Sequence, residues 1–226
     1  MKYLRGYLGQ SLDHIHRIGE FIKEQKADIV GLVEVDLGSF RTKETNQAKL
    51  LGELTGKHYV SQYKYEENSK YMKFPIMRKQ GNALLSSEKI IAQRFYYLEK
   101  GTKKLVIEME TEEVTIFLVH LALGGKTRLR QMVELNNMIE NCKKPFIVAG
   151  DFNLLWGKEE IELFLKAGKL QNVNNRREPT FPSWAPKKEL DFILCSENIK
   201  IKDYKVLRNT LSDHLPILLD FEIKKN

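Results

Sequence analysis

Apolar residues at Leu12, Ile15, Ile18 and Ile22 recur at intervals of three and four, the spacing of one helix face. They predict a helix over residues 11–25 with Ser11 as its N-cap. The pattern then changes to Asp-Ile-Val-Gly-Leu-Val-Glu-Val over residues 28–35, a short apolar run that predicts a buried strand ending at the glutamate Glu34. Similar short runs at residues 145–149, 190–194 and 217–221 predict further buried strands. Residues 104–110 and 113–121, separated by a polar turn, predict a β-hairpin. Residues 128–140 and 158–166 predict two more helices, the second closed by Gly168. Helices alternating with strands on either side of a hairpin indicate a layered α/β protein. No low-complexity linker divides the chain, so residues 1–226 are read as one domain.

Four of these apolar strands carry an acid, an amide or an imidazole at one end. Gly150-Asp151-Phe152-Asn153 follows the run at 145–149, and period-two alternation would point Asp151 and Asn153 out of the sheet end while Phe152 enters the core. A carboxylate can hold a water or a metal, and a neutral amide beside it can donate to a phosphoryl oxygen. An Asx turn closing a buried strand would account for the same tetrapeptide in isolation. Leu211-Ser212-Asp213-His214-Leu215-Pro216 places an acid beside an imidazole before another strand, Asp191 opens the run at 190–194, and Glu34 ends the first strand. Histidine moves its proton most easily near neutral pH and needs a partner to fix its tautomer. Charges beside buried strands are costly unless paired, and a divalent cation with a phosphate would pair all of these.

Six segments together make the chain resemble the endonuclease/exonuclease/phosphatase superfamily of metal-dependent phosphoesterases. They are ADIVGLVEVD around Glu34, GNALLSS at 81–87, FLVHLAL around His120, FIVAGDFN, ELDFIL around Asp191 and LSDHLP around His214, in family order across residues 27–221. The resemblance implies a four-layer α/β sandwich, two packed and mostly antiparallel β-sheets flanked by helices, with the site at the strand ends between the sheets. It implies Glu34 and Asp213 as ligands of Mg²⁺ or Mn²⁺. Asp151 would orient or deprotonate the attacking water, Asn153 would contact the phosphate, and His214, its ring held by Asp191, would bond the phosphate or take the proton. Whether Asp151 or His214 is the general base stays open. His120 would stabilise the transition state or assist the leaving group, against the plainer reading of a satisfied core histidine, and Asn82 would line the site floor or serve a turn. The implied reaction is in-line attack of water on phosphorus, by a phosphodiesterase acting on a nucleic acid or a small or lipid phosphodiester. The alternative is a non-catalytic phosphate- or partner-binding domain that retains the fold.

The chain departs from the family at its start. Members open with a strand carrying an asparagine near the metal, and no such strand precedes the helix at 11–25; residues 1–10 read as the loop that would follow it. The segment at residues 179–191 resembles a Thr-Phe-Pro-Ser-x-x-Pro stretch found in a bacterial branch of the family and would form a wall of the site. Trp184 would either stack on a base, sugar or head group or cap the core, and Lys187 would meet a phosphate.

Composition narrows the picture less than the motifs do. With 226 residues and 42% hydrophobic content the chain can bury one large core. Two cysteines, Cys142 and Cys195, are too few for a disulfide framework and read as reduced thiols. No apolar run is long enough to span a bilayer and the first ten residues lack a signal-like core, so a cytoplasmic protein is expected unless a signal or anchor precedes this chain. The formal charge of +7 suits a polyanionic partner and an ordinary lysine-rich surface equally.

Overall fold

The computed structural model describes residues 12–155 and 159–224. These residues form four α-helices and eleven strands, of which the pattern anticipates three helices and six strands. The helix of the opening periodicity is α1 (Leu12–Gln25), and Ser11, its expected cap, lies outside the described residues. The first strand, β1 (Ile29–Asp36), feeds α2 (Gln47–Thr55), which Asn46 caps by accepting from Lys49 N and which Gly56 ends in the left-handed conformation. The strands β2 (His58–Tyr63) and β3 (Gln80–Ser86) pair with each other, and β3 pairs with β1, in a three-stranded antiparallel sheet ordered β1-β3-β2.

A second sheet has six strands in the order β4-β5-β6-β7-β9-β8, namely β4 (Ala92–Tyr97), β5 (Leu105–Glu110), β6 (Thr115–His120), β7 (Phe146–Asp151), β8 (Leu170–Asn172) and β9 (Asp191–Ser196). The predicted hairpin is β5 with β6. The β6 and β7 pair is parallel, with α3 (Gly125–Ile139) as its crossover, and the other pairings in this sheet are antiparallel. The helix α4 (Glu159–Gly168) follows β7; residue 158 of its expected span lies outside the described residues. A last hairpin joins β10 (Ile199–Val206) to β11 (Ile217–Ile223).

The layers follow from where each apolar face is buried. Met132, Leu135 and Ile139 of α3 and Ile161 and Phe164 of α4 cover one face of the six-stranded sheet through Phe117, Val148 and Phe192. The opposite face, with Ile107, Leu118 and Ile147, packs on Val60 and Leu84 of the small sheet and on Ile199, Leu219 and Phe221 of the last hairpin. Ile15 and Ile22 of α1 and Leu51 of α2 cover the outside of the small sheet at Leu85. The result is the expected four-layer α/β sandwich, with one difference: the layer facing the large sheet consists of two separately hydrogen-bonded groups, the β1-β3-β2 sheet and the β10-β11 hairpin. Among the described residues, no helix is long and apolar enough to cross a membrane.

Candidate active site

Glu34 does not end its strand as the apolar run suggests. In β1, Leu32 pairs with Ala83 and Val35 with Gly81, so Val33 and Glu34 together oppose the single residue Asn82. This β-bulge turns Glu34 to φ 59°, a left-handed conformation that costs a non-glycine residue about 1–3 kcal/mol and occurs where a side chain must be re-aimed. Asn82, buried in β3, accepts the Glu34 N–H on its Oδ1 at 3.1 Å and so holds the bulge. Asn82 is thus buried against the Glu34 backbone. The Glu34 carboxylate receives Lys64 Nζ at 2.7 Å. Burial would raise its pKa, but the Lys64 charge and hydrogen bond, with His120 and Lys103 nearby, hold it below the ordinary carboxylate value.

Asp151 ends β7, paired across to His120 in β6 and to Asp191 in β9. This close parallel pairing needs Gly150, which sits at φ 140° and where a Cβ would lie 1.9 Å from the Val119 carbonyl oxygen. Strand alternation stops at Asp151. Asn153 is brought back by its own left-handed turn at φ 52°, so that its N–H donates to Asp151 Oδ1 at 2.8 Å and its Nδ2 to Asp151 Oδ2 at 3.1 Å and to Leu121 O at 2.9 Å. Both amide hydrogens expected to meet a phosphoryl oxygen are thus engaged within the protein, and Asn153 holds Asp151 in place. Phe152 is buried between Phe164 and Phe192, as alternation requires.

His120 is buried, with Nε2 3.1 Å from Asp151 Oδ2 and in contact with Lys103 Nζ, and with Nδ1 3.8 Å from Glu34 Oε1. A carboxylate only accepts and an ammonium only donates, so Nε2 serves Asp151 when it carries a proton and Lys103 when it does not. Nδ1 is buried with no hydrogen-bond partner. Burial, reinforced by the Lys103 charge, lowers the His120 pKa against the pull of Asp151 and Glu34, which favours the neutral ring. Burial also lowers the pKa of Lys103. Although burial opposes it, Asp151 is held below its ordinary value by the His120 hydrogen bond and by the charges of His120, His214 and Lys103.

Opposite this group, His214 Nδ1 lies 2.7 Å from Asp191 Oδ2, which also accepts the Thr180 hydroxyl at 2.5 Å. The acceptor-only carboxylate fixes the proton on Nδ1 and leaves Nε2 to exchange protons. Phe181 packs on the His214 ring with centroids 4.8 Å apart. The proline-rich stretch works as a clamp: Leu215 N donates to Thr180 O at 2.8 Å, Ser183 N to Asp213 O at 2.7 Å and Ser183 Oγ to Ser212 O at 2.6 Å. Trp184 is 56% exposed and Lys187 exposed on this loop, which leaves the core-capping reading of Trp184 without support. Asp213 stays near the rim, where its charge reaches Lys103.

Asp151, Asp191 and His214 offer ligand atoms that all lie within 4.8 Å of one another, and this cluster does not coincide with the Glu34 and Asp213 pair expected to bind metal. The set is rich in carboxylate oxygens and fits a hard divalent cation. Three basic residues escape a sequence reading. Lys64 and Lys103 look like solvated surface lysines in the chain, yet each touches a site acid or its histidine. Arg128, fully buried in α3, donates to the carbonyls of Ala122, Leu123 and Asn153 and forms a two-pronged pair with Glu160 at 2.8 and 2.9 Å. Gln131 accepts from Ala122 N and donates to the carbonyls of Lys100 and Lys103, tying the Lys103 loop to the segment after His120.

Comparison with known proteins bears on the fold and on the family. A UPF0294 protein of Yersinia pseudotuberculosis is 31% identical over 112 residues, 48% of this chain and 42% of its own length, so the match spans less than half of that relative. An endonuclease/exonuclease/phosphatase family protein from Leptotrichia buccalis superposes with TM-score 0.75 at 19% identity, covering 94% of this chain and 93% of that one. A mannosyl-6-phosphatase of Bacteroides thetaiotaomicron gives TM-score 0.71 at 17% identity over 93% and 91%. These two likenesses establish the fold. A sequence model described as the Endonuclease/Exonuclease/phosphatase family matches residues 5–214, and on that match across nearly the whole chain the protein belongs to this family.

Proposed function

We propose that this protein is a phosphodiesterase that uses a divalent cation, Mg²⁺ or Mn²⁺, and water to cleave a nucleic acid or a small or lipid phosphodiester. The observation that carries the reading is the convergence of His214, oriented by Asp191 at 2.7 Å, on Asp151 within one oxygen-rich cluster. Glu34, with Asp213 at the rim, would hold the cation, and the Asp151, Asp191 and His214 cluster is the competing set. When bound, such an ion neutralises phosphoryl oxygens and the leaving oxygen. Asp151, fixed by both donors of Asn153, orients the attacking water and shares with His214 Nε2 the task of taking its proton. Lys103 and the neutral His120 supply donors as negative charge builds on the phosphoryl group. Trp184 and Lys187, exposed on the clamp loop, would meet the substrate.

A second reading, a phosphate-binding domain without turnover, is favoured by one observation. Lys64 already neutralises Glu34, as Lys103 does the His120 and Asp151 pair, so the acids do not depend on an ion for their counter-charge. Hydrolysis of bis(p-nitrophenyl) phosphate with Mg²⁺, Mn²⁺ or EDTA, beside an Asp151→Asn, His214→Ala double variant, separates the two. Metal-dependent turnover lost in the variant supports the phosphodiesterase. A folded protein with no turnover on this ester or on p-nitrophenyl phosphate supports the binding domain.

A further inference from the structure

Between β2 and β3 the chain makes an excursion whose base is closed by Lys64 N on Gln80 O at 2.8 Å, beside the Lys64 and Glu34 pair. At its tip, five of the six residues Met72, Lys73, Phe74, Pro75, Ile76 and Met77 are apolar. None of the residues in the two short helical turns Lys70–Lys73 and Met77–Lys79 is buried, and Phe74 between them is 55% exposed. An apolar run of exposed and half-buried residues from Phe74 to Met77 is unlike the scattered apolar residues of an ordinary surface. Lys70, Lys73 and Arg78 are exposed around it. Residues 64–79 hold five basic residues against two acids, and one of the acids, Glu66, is taken up by Lys104 at 2.7 Å.

We infer that this tip is an interfacial anchor for an anionic lipid surface, the apolar run entering the head-group boundary while Lys70, Lys73 and Arg78 meet lipid phosphates. That combination, apolar residues ringed by basic ones, is what binds an anionic bilayer peripherally. A single-stranded nucleic acid would use aromatic faces as stacking platforms. Here the tyrosine faces are engaged, which leaves Phe74 as a single exposed ring and no series of platforms: Lys79 lies over Tyr63 at 5.3 Å, Lys70 over Tyr71 at 5.4 Å, and Tyr65 stacks on Tyr71 with centroids 4.8 Å apart. Phe74 and Pro75 are exposed and Met72, Ile76 and Met77 half-buried beside them, an apolar tip that suits acyl chains. Docking of this kind needs none of Glu34, Asp151 or His214 and stands apart from whether the protein hydrolyses anything.

The test is co-sedimentation of the purified protein with phosphatidylcholine vesicles and with vesicles containing phosphatidylglycerol, at low and at 0.5 M salt (~3–4 Å Debye length). Binding is expected to the anionic vesicles only and to weaken with salt. The partition coefficient should fall about tenfold or more in Lys73→Glu/Arg78→Glu and severalfold in Phe74→Ser. Both variants change exposed residues and should keep the wild-type unfolding temperature and the wild-type rate on the soluble ester. Absence of binding to anionic vesicles would overturn the anchor, as would binding that neither variant alters. So would the same variants losing affinity for a single-stranded oligonucleotide and not for vesicles.

Discussion

Asn82 accepts the backbone N–H of Glu34 at 3.1 Å, and this one hydrogen bond secures the only site acid whose backbone is left-handed inside a strand among the described residues. Replacing Asn82 by Ala leaves that N–H without its partner at a bulge that already stores strain. Chemical denaturation should show a loss of about 1–3 kcal/mol, and turnover should fall as Glu34 loses its aim. Unchanged stability together with unchanged activity would remove Asn82 from the site.

The ammonium of Lys64 occupies the position on Glu34 that a cation would contest. Lys64→Met keeps the alkyl stem in its buried slot and removes the charge. The Mg²⁺ concentration giving half-maximal turnover should then fall severalfold, whereas Glu34→Gln should raise it. Identical titrations for Lys64→Met and wild type would show that the lysine does not compete with the ion.

His214 titrates above its ordinary value of 6.5: burial alone would lower it, but the Asp191 hydrogen bond and charge, with Asp151 and Asp213, outweigh burial. A raised folded-state pKa contributes stability that is complete below the unfolded value and is lost as pH rises through the folded one. The unfolding temperature of wild type relative to His214→Gln should accordingly be higher at pH 5.5 than at pH 9. Imidazole titration by NMR should place His214 above 6.5, and Asp191→Asn should bring it down. The same titration decides the general base. A pH–rate profile rising through the His214 value assigns that role to Nε2, and one flat there assigns it to Asp151.

Arg128 makes five hydrogen bonds from one buried guanidinium, three to carbonyls and two to Glu160. Arg128→Met strands all four acceptor groups, and urea unfolding should register a loss of about 3–5 kcal/mol. Arg128→Lys cannot reproduce the forked geometry and should recover only part of it. A loss under about 1 kcal/mol would mean that water replaces the guanidinium.

The acids and imidazoles were legible because each lies at or beside the end of an apolar strand, a placement with an energetic cost that demands a partner: Asp151, Asp191 and His214 do meet in space. The α1 helix was legible from its three- and four-residue spacing. The bulge at Glu34 was not, because one extra residue in a strand leaves no mark in a run that is apolar on both faces. Lys64, Lys103 and Arg128 were illegible for a different reason. Basic residues ordinarily stand in water, and only the three-dimensional neighbourhood shows that these do not. Asn153 was placed beside Asp151 as expected, but the direction of its donors depends on a left-handed turn that alternation cannot foresee.

The two halves of the site belong to different sheets. Glu34, Lys64 and Asn82 ride on the three-stranded sheet or its immediate continuation, while His120, Asp151 and Asp191 ride on the six-stranded one. Between the two sheets that carry them lies the apolar layer of Leu84, Ile107 and Leu118, packed so closely that a Cβ on Gly31 would lie 2.9 Å from the Leu118 side chain. That layer is the spacer of a caliper, and the proposed reacting groups are its jaws. Protein interiors transmit a change of volume as a shift of the packed elements, and a misplacement of about 1 Å can cost about 10²-fold in rate. For the phosphodiesterase proposed above, turnover is therefore a finer gauge of how this core is filled than melting temperature is, and a methyl group gained or lost at Leu84 or Leu118 would register first in the chemistry.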